Sequence, residues 1–314
     1  MSALHPSNFS TSYFRLQGFP GLESAYPWVA LLLSTIYTIV LLGNTTILYV
    51  LRIERSLHEP MYYLLALLTT TDLGMGLSTL PTVLGVLWGH HQEISLDACI
   101  AQAYFIHGLA GMESGVLLAM SWDRFIAICN PLRYTSLVTG SSIIKIGVIF
   151  LIRCVLLTLP VIIRLRFFFY CHPHVLSHSF CLHQDLLRLA CSDIRFNSFY
   201  ALGLVISTLV LDSVLILASY ILILRTVLVV ASHGEMLKSL QTCTSHILAI
   251  LVFYVPVVGL TMVHRFGKHL TPLVHVLMGH IYILFPPLMN PIIYSIKTQQ
   301  IRKRILGMFY LERG

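Results

Sequence analysis

Long runs of apolar residues dominate the chain, and each approaches the roughly 20 residues that a helix needs to cross a hydrocarbon layer. The runs are continuous and do not alternate with polar residues, as the elements of a water-soluble domain do. Only 11% of the 314 residues are charged, whereas an ordinary soluble domain has roughly 25%. Because a backbone in lipid must satisfy its own hydrogen bonds, the sequence predicts an all-α membrane protein.

The apolar runs predict a bundle of seven transmembrane helices. Their approximate ranges are 27–51, 60–86, 98–129, 142–166, 197–229, 239–263 and 271–295. We therefore divide the chain into an N-terminal segment (1–26), a membrane domain (27–295) and a C-terminal segment (296–314). The C-terminal segment has bases between apolar residues, which favours a short amphipathic eighth helix on the inner leaflet; a disordered basic tail is the alternative.

Positive charge predicts the orientation. Lys and Arg concentrate in the segments assigned to the cytoplasm, namely Arg52, Arg55, Arg133, Lys238, Lys297, Arg302, Lys303 and Arg304. The N-terminal segment then lies outside a multi-pass plasma-membrane protein, where Asn8 begins the glycosylation sequon Asn8-Phe9-Ser10. The same bias accounts for the net charge of +7, so nucleic acid is not an expected partner.

Four cysteines lie outside the apolar runs or at their outer edge: Cys99, Cys171, Cys181 and Cys191. An oxidising compartment favours disulfides between them, but spacing alone does not choose among the three pairings. A zinc site is the alternative, with ligands from His172, His174, His178 and His183. The spacing is not that of a paired-cysteine zinc module.

Ionisable residues inside membrane spans are costly and therefore mark functional positions. Asp72 and Glu113 lie near the middles of the second and third spans, where they could share a cation or a proton. Two protonated, hydrogen-bonded structural acids are the alternative. Asp123 and Arg124 close the inner end of the third span. Two further ionisable residues, Arg153 and Asp212, receive no role from the sequence.

The seventh span contains Pro286, Pro287 and Pro291. Each proline removes a backbone donor and frees a carbonyl, which bends the helix and requires polar neighbours. This bend is predicted to be a moving part.

An ordered set of motifs resembles the vertebrate odorant receptors. The motifs are Gly43-Asn44, the stretch from Leu57 to Tyr62, the stretch from Met120 to Cys129, Ser219-Tyr220, Lys238 with Thr242 to His246, and Asn290 to Tyr294. They cover nearly the whole chain, and the stretches from His178 to Asp185 and from Val263 to Gly267 resemble the class I, or fish-like, branch. Two departures are Phe125, where the family usually has tyrosine, and the large Trp122.

The resemblance implies a receptor that binds a small odorant and activates a stimulatory G protein, raising cyclic AMP. It implies the disulfides Cys99–Cys181 and Cys171–Cys191, and no enzymatic activity. Arg124, beside Asp123, would meet the G protein. The remaining implied positions are an activation switch at Asn290, Pro291 and Tyr294, and a sodium site, the one expected cofactor, at Asp72 and Glu113.

The expected ligand is an acid. Arg265 lies near the outer end of the sixth span, with Thr261 one turn below on the same face, and a guanidinium can hold a carboxylate through two hydrogen bonds. By resemblance, the pocket would be completed by His107, His183, Gln184, Ala201 and Val205. Arg265 could instead extend to the membrane surface, and His107 could be a packing residue.

Three rival functions predict different sequence features or a different setting. A transporter would predict inverted repeats or paired interrupted helices, which the sequence does not contain. An intramembrane enzyme would need a nucleophile, a base or metal ligands converging at membrane depth, and no such set is found. A receptor of the same fold could sense a metabolite outside the nose.

Overall fold

A computed structural model describes residues 13–90, 92–171, 174–230, 233–267 and 269–311, with the side chains of 230, 233–242 and 308–311 left out. The helices are α1 (Tyr26–Ile53), α2 (Pro60–Leu87), α3 (Leu96–Cys129), α4 (Pro131–Leu137), α5 (Gly140–Arg164), α6 (His183–Leu189), α7 (Arg195–Val230), α8 (His233–Phe266), α9 (Pro272–Lys297) and α10 (Gln299–Leu311). The strands are β1 (Tyr13–Leu16), β2 (Glu93–Ser95) and β3 (Val175–Leu176).

Seven long helices, α1, α2, α3, α5, α7, α8 and α9, form the predicted transmembrane bundle. Within the described residues, all of them except α2 are both long and apolar enough to cross a membrane. Helix α2 has 28 residues, about 42 Å of helix, but a polar stretch from Thr69 to Asp72 lowers its hydropathy. It packs against α1, α3 and α9, so it is part of the bundle.

The predicted boundaries agree closely with the helix ends, except at the start of the sixth span. Helix α8 begins at His233, whereas the apolar pattern predicted a start near 239. The preceding residues include the good helix formers Glu235, Met236 and Leu237. They continue the helix beyond its apolar part, which a hydropathy pattern does not detect.

The predicted amphipathic eighth helix is present as α10. Ile301 is fully buried, whereas Arg302, Lys303 and Arg304 are exposed. Its start is held by Gln300, whose side-chain oxygen accepts a hydrogen bond of 2.6 Å from the hydroxyl of Tyr62. We call the end of the bundle that carries α10 the inner end and the opposite end the outer end.

A small sheet at the outer end was not predicted. Strand β1 lies in the middle, antiparallel to β2 and parallel to β3. Phe14 and Leu16 are buried while Tyr13 and Arg15 are exposed. This alternation is the signal for a half-buried strand, and it was available in the N-terminal segment. The glycosylation sequon at Asn8 lies outside the described residues.

Two disulfides join the outer segments with the pairing that the family resemblance implied. Cys99 at the start of α3 is bonded to Cys181 in the loop between α5 and α7, and Cys171 is bonded to Cys191 within that loop. All four sulfurs are therefore engaged. Among the described residues no group of three or more His, Cys, Asp and Glu side chains is arranged to hold a metal ion, and His172 lies outside them.

The carbonyl that Pro291 leaves free in α9 is bonded by a polar group of α1. Because Pro291 has no N–H, the carbonyl of Pro287 has no donor one turn later. The side-chain amide of Asn44 donates to this carbonyl at 2.9 Å. Gly43 allows the close approach, since a Cβ atom there would lie 3.3 Å from Pro291. The proline-containing part of α9 is thus joined to α1 by a hydrogen bond within the bundle.

Candidate functional site

A cavity opens in the outer half of the bundle. Helices α3, α5 and α7 form most of its wall, α8 and α9 complete it, and α6 covers it. Its empty space is about 850 Å³, including the part that is open to solvent, which is within the range of small-molecule sites. The wall is mainly apolar, with a few polar groups at its two ends.

Five predicted pocket residues line this cavity. They are His107, His183, Gln184, Ala201 and Val205. They come from α3, α6 and α7, which are separated in the chain and brought together by the helix packing and by the Cys99–Cys181 disulfide.

The outer end of the cavity holds polar atoms without partners. Nε2 of His107 and Oε1 of Gln184 are buried and have no hydrogen-bond partner among the described residues. Burial lowers the pKa of His183 to about 3, with a smaller contribution from the nearby His107. At neutral pH this loop histidine is therefore uncharged, and it belongs to an outer end that can exchange hydrogen bonds with a ligand.

Arg265 and Thr261 do not line the cavity in this structure. A guanidinium nitrogen of Arg265, Nη2, donates to the backbone carbonyl of Ser198 at 2.9 Å, and the Thr261 hydroxyl donates to the carbonyl of Val257 at 2.8 Å. Both side chains donate to backbone carbonyls of the protein, so the predicted carboxylate-binding pair of Arg265 and Thr261 is not assembled in this structure. Ser198 precedes the wall residue Ala201 by about one helical turn, about 4.5 Å along α7, so Arg265 bonds to α7 about one turn beyond the cavity wall.

The inner end of the cavity holds the two residues that the sequence left unassigned. Arg153 of α5 binds Asp212 of α7 through two contacts of 3.1 and 2.8 Å. The Ser114 hydroxyl of α3 donates to the same carboxylate at 2.6 Å and lies 3.0 Å from the Tyr254 hydroxyl of α8. This network, which we call the floor network, joins four helices. Its members are far apart in sequence, and no local pattern relates them.

A buried ion pair supports the outer loop. Nδ1 of His178 lies 2.5 Å from a carboxylate oxygen of Asp185, and Nε2 lies 3.1 Å from the carbonyl of His275. Burial alone would lower the pKa of His178, but Asp185 and the His275 carbonyl together raise it. Burial would raise the pKa of Asp185, but His178 holds it below its ordinary value. Each group of the pair therefore stabilises the charged form of the other.

Asp72, Glu113 and Asn290 meet in the middle of the bundle. The Asn290 amide nitrogen lies 3.0 and 3.3 Å from the two Asp72 oxygens and 3.3 Å from Oε1 of Glu113. Oδ1 of Asn290 is buried and has no hydrogen-bond partner among the described residues. Two carboxylates suit a hard cation, and the Asn290 oxygen could join them only after the amide group rotates, because its nitrogen faces them here.

The inner end of α3 carries weakly held charges. Arg124 lies 3.9 Å from Asp123, and the Tyr134 hydroxyl of α4 donates to the other Asp123 oxygen at 2.9 Å. The hydroxyl of Tyr294 is buried without a hydrogen-bond partner among the described residues. The inner end therefore has polar groups that are available for new partners.

Comparisons with known proteins were made with this geometry in view. The family model described as "Olfactory receptor" matches residues 33–312. The human protein "Olfactory receptor 51V1" is 64% identical over 313 residues, covering 100% of this chain and 98% of the relative. Human "Olfactory receptor 51B6" is 56% identical over 304 residues, covering 97% of each chain.

One solved structure shows the same fold. The crystal structure of squid rhodopsin superposes with a TM-score of 0.75 and 16% sequence identity, covering 94% of this chain and 87% of the rhodopsin chain. The seven long helices are thus arranged as in rhodopsin.

Proposed function

The chain belongs to the olfactory receptor family, and we propose that it detects a small organic acid in the outer cavity and activates a stimulatory G protein. It is a multi-pass plasma-membrane receptor of the G-protein-coupled fold and not an enzyme. The orientation that fits this function has the N-terminus and the disulfides outside, because disulfides persist in oxidising compartments. The basic α10 then lies on the anionic inner leaflet.

The observation that carries the proposal is the mainly apolar cavity with unpartnered polar atoms at its outer end. A ligand hydroxyl could donate to Oε1 of Gln184, and a ligand carboxylate could accept from His107 in the tautomer that carries the proton on Nε2, while its hydrocarbon chain would contact the apolar wall. Such a ligand would exchange hydrogen bonds with water for hydrogen bonds with the protein and would bury its apolar surface.

Arg265 supplies the preference for an acid in this proposal. Its bond to the Ser198 carbonyl is a bond to a neutral acceptor, and a carboxylate is a stronger, charge-assisted acceptor. An acid at the cavity mouth would therefore take the guanidinium away from Ser198. The exchange would draw the outer end of α8 toward the cavity.

Movement of α8 would transmit the signal. A ligand shifts a receptor only by the difference in its affinity for two conformations. If the conformation that holds the acid has the outer end of α8 drawn in, then the inner end of α8 pivots away from α3. That movement would expose Arg124 to the G protein.

Replacing Arg265 tests whether this residue binds the carboxylate of an acidic ligand. A charge-assisted hydrogen bond contributes about 1.5 to 3 kcal/mol, so Arg265→Ala should weaken straight-chain acids at least about tenfold and leave the matching alcohols nearly unchanged. The measurement is agonist potency in a cyclic-AMP reporter assay. The matched control is Arg166→Ala, whose side chain is 66% exposed and paired with Asp97.

The amount of each receptor variant at the cell surface is measured with an antibody to an N-terminal tag on intact cells. The same staining tests the proposed orientation. Equal loss for acids and alcohols would remove the carboxylate role of Arg265. Staining only after permeabilisation would show that the N-terminus lies inside the cell, contrary to the proposed orientation.

We also propose that Asp72, Glu113 and Asn290 bind a sodium ion, with a shared proton as the alternative state. Two adjacent buried carboxylates are stable only if a cation or proton compensates their charge. The purified receptor should then melt at a higher temperature in sodium chloride than in choline chloride, and Asp72→Asn should abolish the difference. An equal rise in melting temperature with sodium in the wild type and in Asp72→Asn would exclude this site.

A further inference from the structure

We propose that Arg153, held by Asp212 at the inner end of the cavity, is a second recognition point that binds an uncharged oxygen at the far end of the ligand. The inference rests on the proposed function and deepens it. It names the ligand class as acids that carry a carbonyl, hydroxyl or ester oxygen at the end opposite the carboxyl group.

Arg153 has donors to spare. A guanidinium carries five N–H groups, and the contacts described for Arg153 are two hydrogen bonds to Asp212 and a position over the Phe150 ring. No further acceptor for Arg153 is found among the described residues. The side chain retains 23% of its exposure and lines the cavity. Its remaining donors are therefore available to a bound molecule.

Asp212 determines what kind of group can bind there. Its side chain is fully buried and accepts hydrogen bonds from both Arg153 and Ser114. The pair is neutral as a unit, so a second anion would be drawn into a low-dielectric site without compensating charge. A neutral oxygen accepts a hydrogen bond from the guanidinium without that cost.

The two polar ends are separated along the bundle. His107 and Ser114 lie on the same helix, seven residues apart, which corresponds to about 10 Å. Apolar residues such as Val205 and Leu209 form the wall between them. A ligand that satisfies both ends therefore has a hydrocarbon spacer between two oxygen-bearing groups.

The floor network also reaches α8 through the Ser114 to Tyr254 contact. An oxygen that binds Arg153 would therefore act on the same helix that Arg265 acts on near the cavity mouth. A ligand that engages both ends should be a more potent agonist than one of equal length that engages only the outer end.

The test moves a ketone carbonyl stepwise along a straight-chain acid and, in parallel, along the matching alcohol. In the wild-type receptor, potency in the cyclic-AMP assay should peak when the carbonyl is at the far end, at about tenfold above the unsubstituted compound. This gain corresponds to one hydrogen bond to a charged group. If no carbonyl position raises potency, the proposal is overturned.

Two variants assign the gain to Arg153. Arg153→Met with Asp212→Asn removes the pair without leaving a buried charge alone, and it should abolish the far-end gain. Thr208→Val is the matched control, since Thr208 lines the same cavity but donates to its own helix at Leu204; it should keep the gain. If the double variant does not reach the surface, Arg153→Lys replaces it and should reduce the gain.

A far-end gain that survives the loss of Arg153 would mean that the pair is structural only. If the acid proposal fails, the acids will be inactive. The alcohol series then tests the Arg153 proposal alone: a far-end peak in potency supports it, and no peak overturns it.

Discussion

The outer and inner halves of the bundle are held together by different kinds of interaction. The outer half has two disulfides, a three-stranded sheet and the buried His178–Asp185 pair. The inner half, at the end of α3, has an Asp123 to Arg124 separation of 3.9 Å, which is too long for a hydrogen bond. The difference indicates that the outer half maintains the shape of a cavity, while the inner half can change partners at low cost.

The floor network and the Asp72 group lie between these halves. Both contain buried carboxyl groups, and both connect several helices. Buried charges that lose a partner are costly, so such networks switch between satisfied arrangements and do not loosen gradually. This position suits groups that couple ligand binding to the inner end.

Removing the disulfide that ties α3 to the outer loop should have the largest effect. The variant with Cys99→Ala and Cys181→Ala opens a sequence separation of 82 residues, and the matched variant at Cys171 and Cys191 opens 20. Chain entropy gives losses of about 4.5 and about 3.3 kcal/mol. Thermal unfolding of the purified receptor measures both. A larger loss from the shorter loop would contradict the view that the tie to α3 is the main constraint.

The loop ion pair should have a smaller effect that depends on pH. Asp185→Asn should cost about 2 kcal/mol near pH 6, because the wild-type pair is fully charged between the unfolded pKa values of Asp and His, about 3.9 and 6.5. The raised pKa of His178 means that this stabilisation is lost as pH rises through it, and the lowered pKa of Asp185 means that it is also lost in strong acid.

Melting temperatures of the wild type and of Asp185→Asn should therefore converge as pH rises through the raised pKa of His178. Asp193→Asn is the matched control, since that carboxylate is 76% exposed in the same loop. A gap that stays constant with pH would show that the pair does not titrate as a salt bridge.

The inner end should show the smallest effect on stability and a measurable effect on signalling. Asp123→Asn removes the charge near Arg124 but keeps an oxygen for the Tyr134 hydroxyl. A weak ion pair contributes up to about 1 kcal/mol, so basal cyclic AMP should rise up to about fivefold. Tyr134→Phe, which keeps the charge, is the control. A fall in basal activity in Asp123→Asn would reverse the assigned role.

Parts of the site were predictable because the chain resembles a known family. The resemblance implied His107, His183, Gln184, Ala201 and Val205 as pocket residues, and all five line the cavity. Strand β1 was missed although its alternating pattern was visible. Arg265 and Thr261 were placed on the right helix, but their partners could not be foreseen from spacing.

The amino-acid sequence by itself determined the number, the approximate limits and the membrane setting of the helices, because apolar length is a local property of the chain. Only the tertiary structure decided which polar groups meet. Arg153 and Asp212 are 59 residues apart, and Asn290 lies 218 residues from Asp72. Such contacts depend on how each helix is rotated against its neighbours, and this rotation follows from packing over the whole bundle.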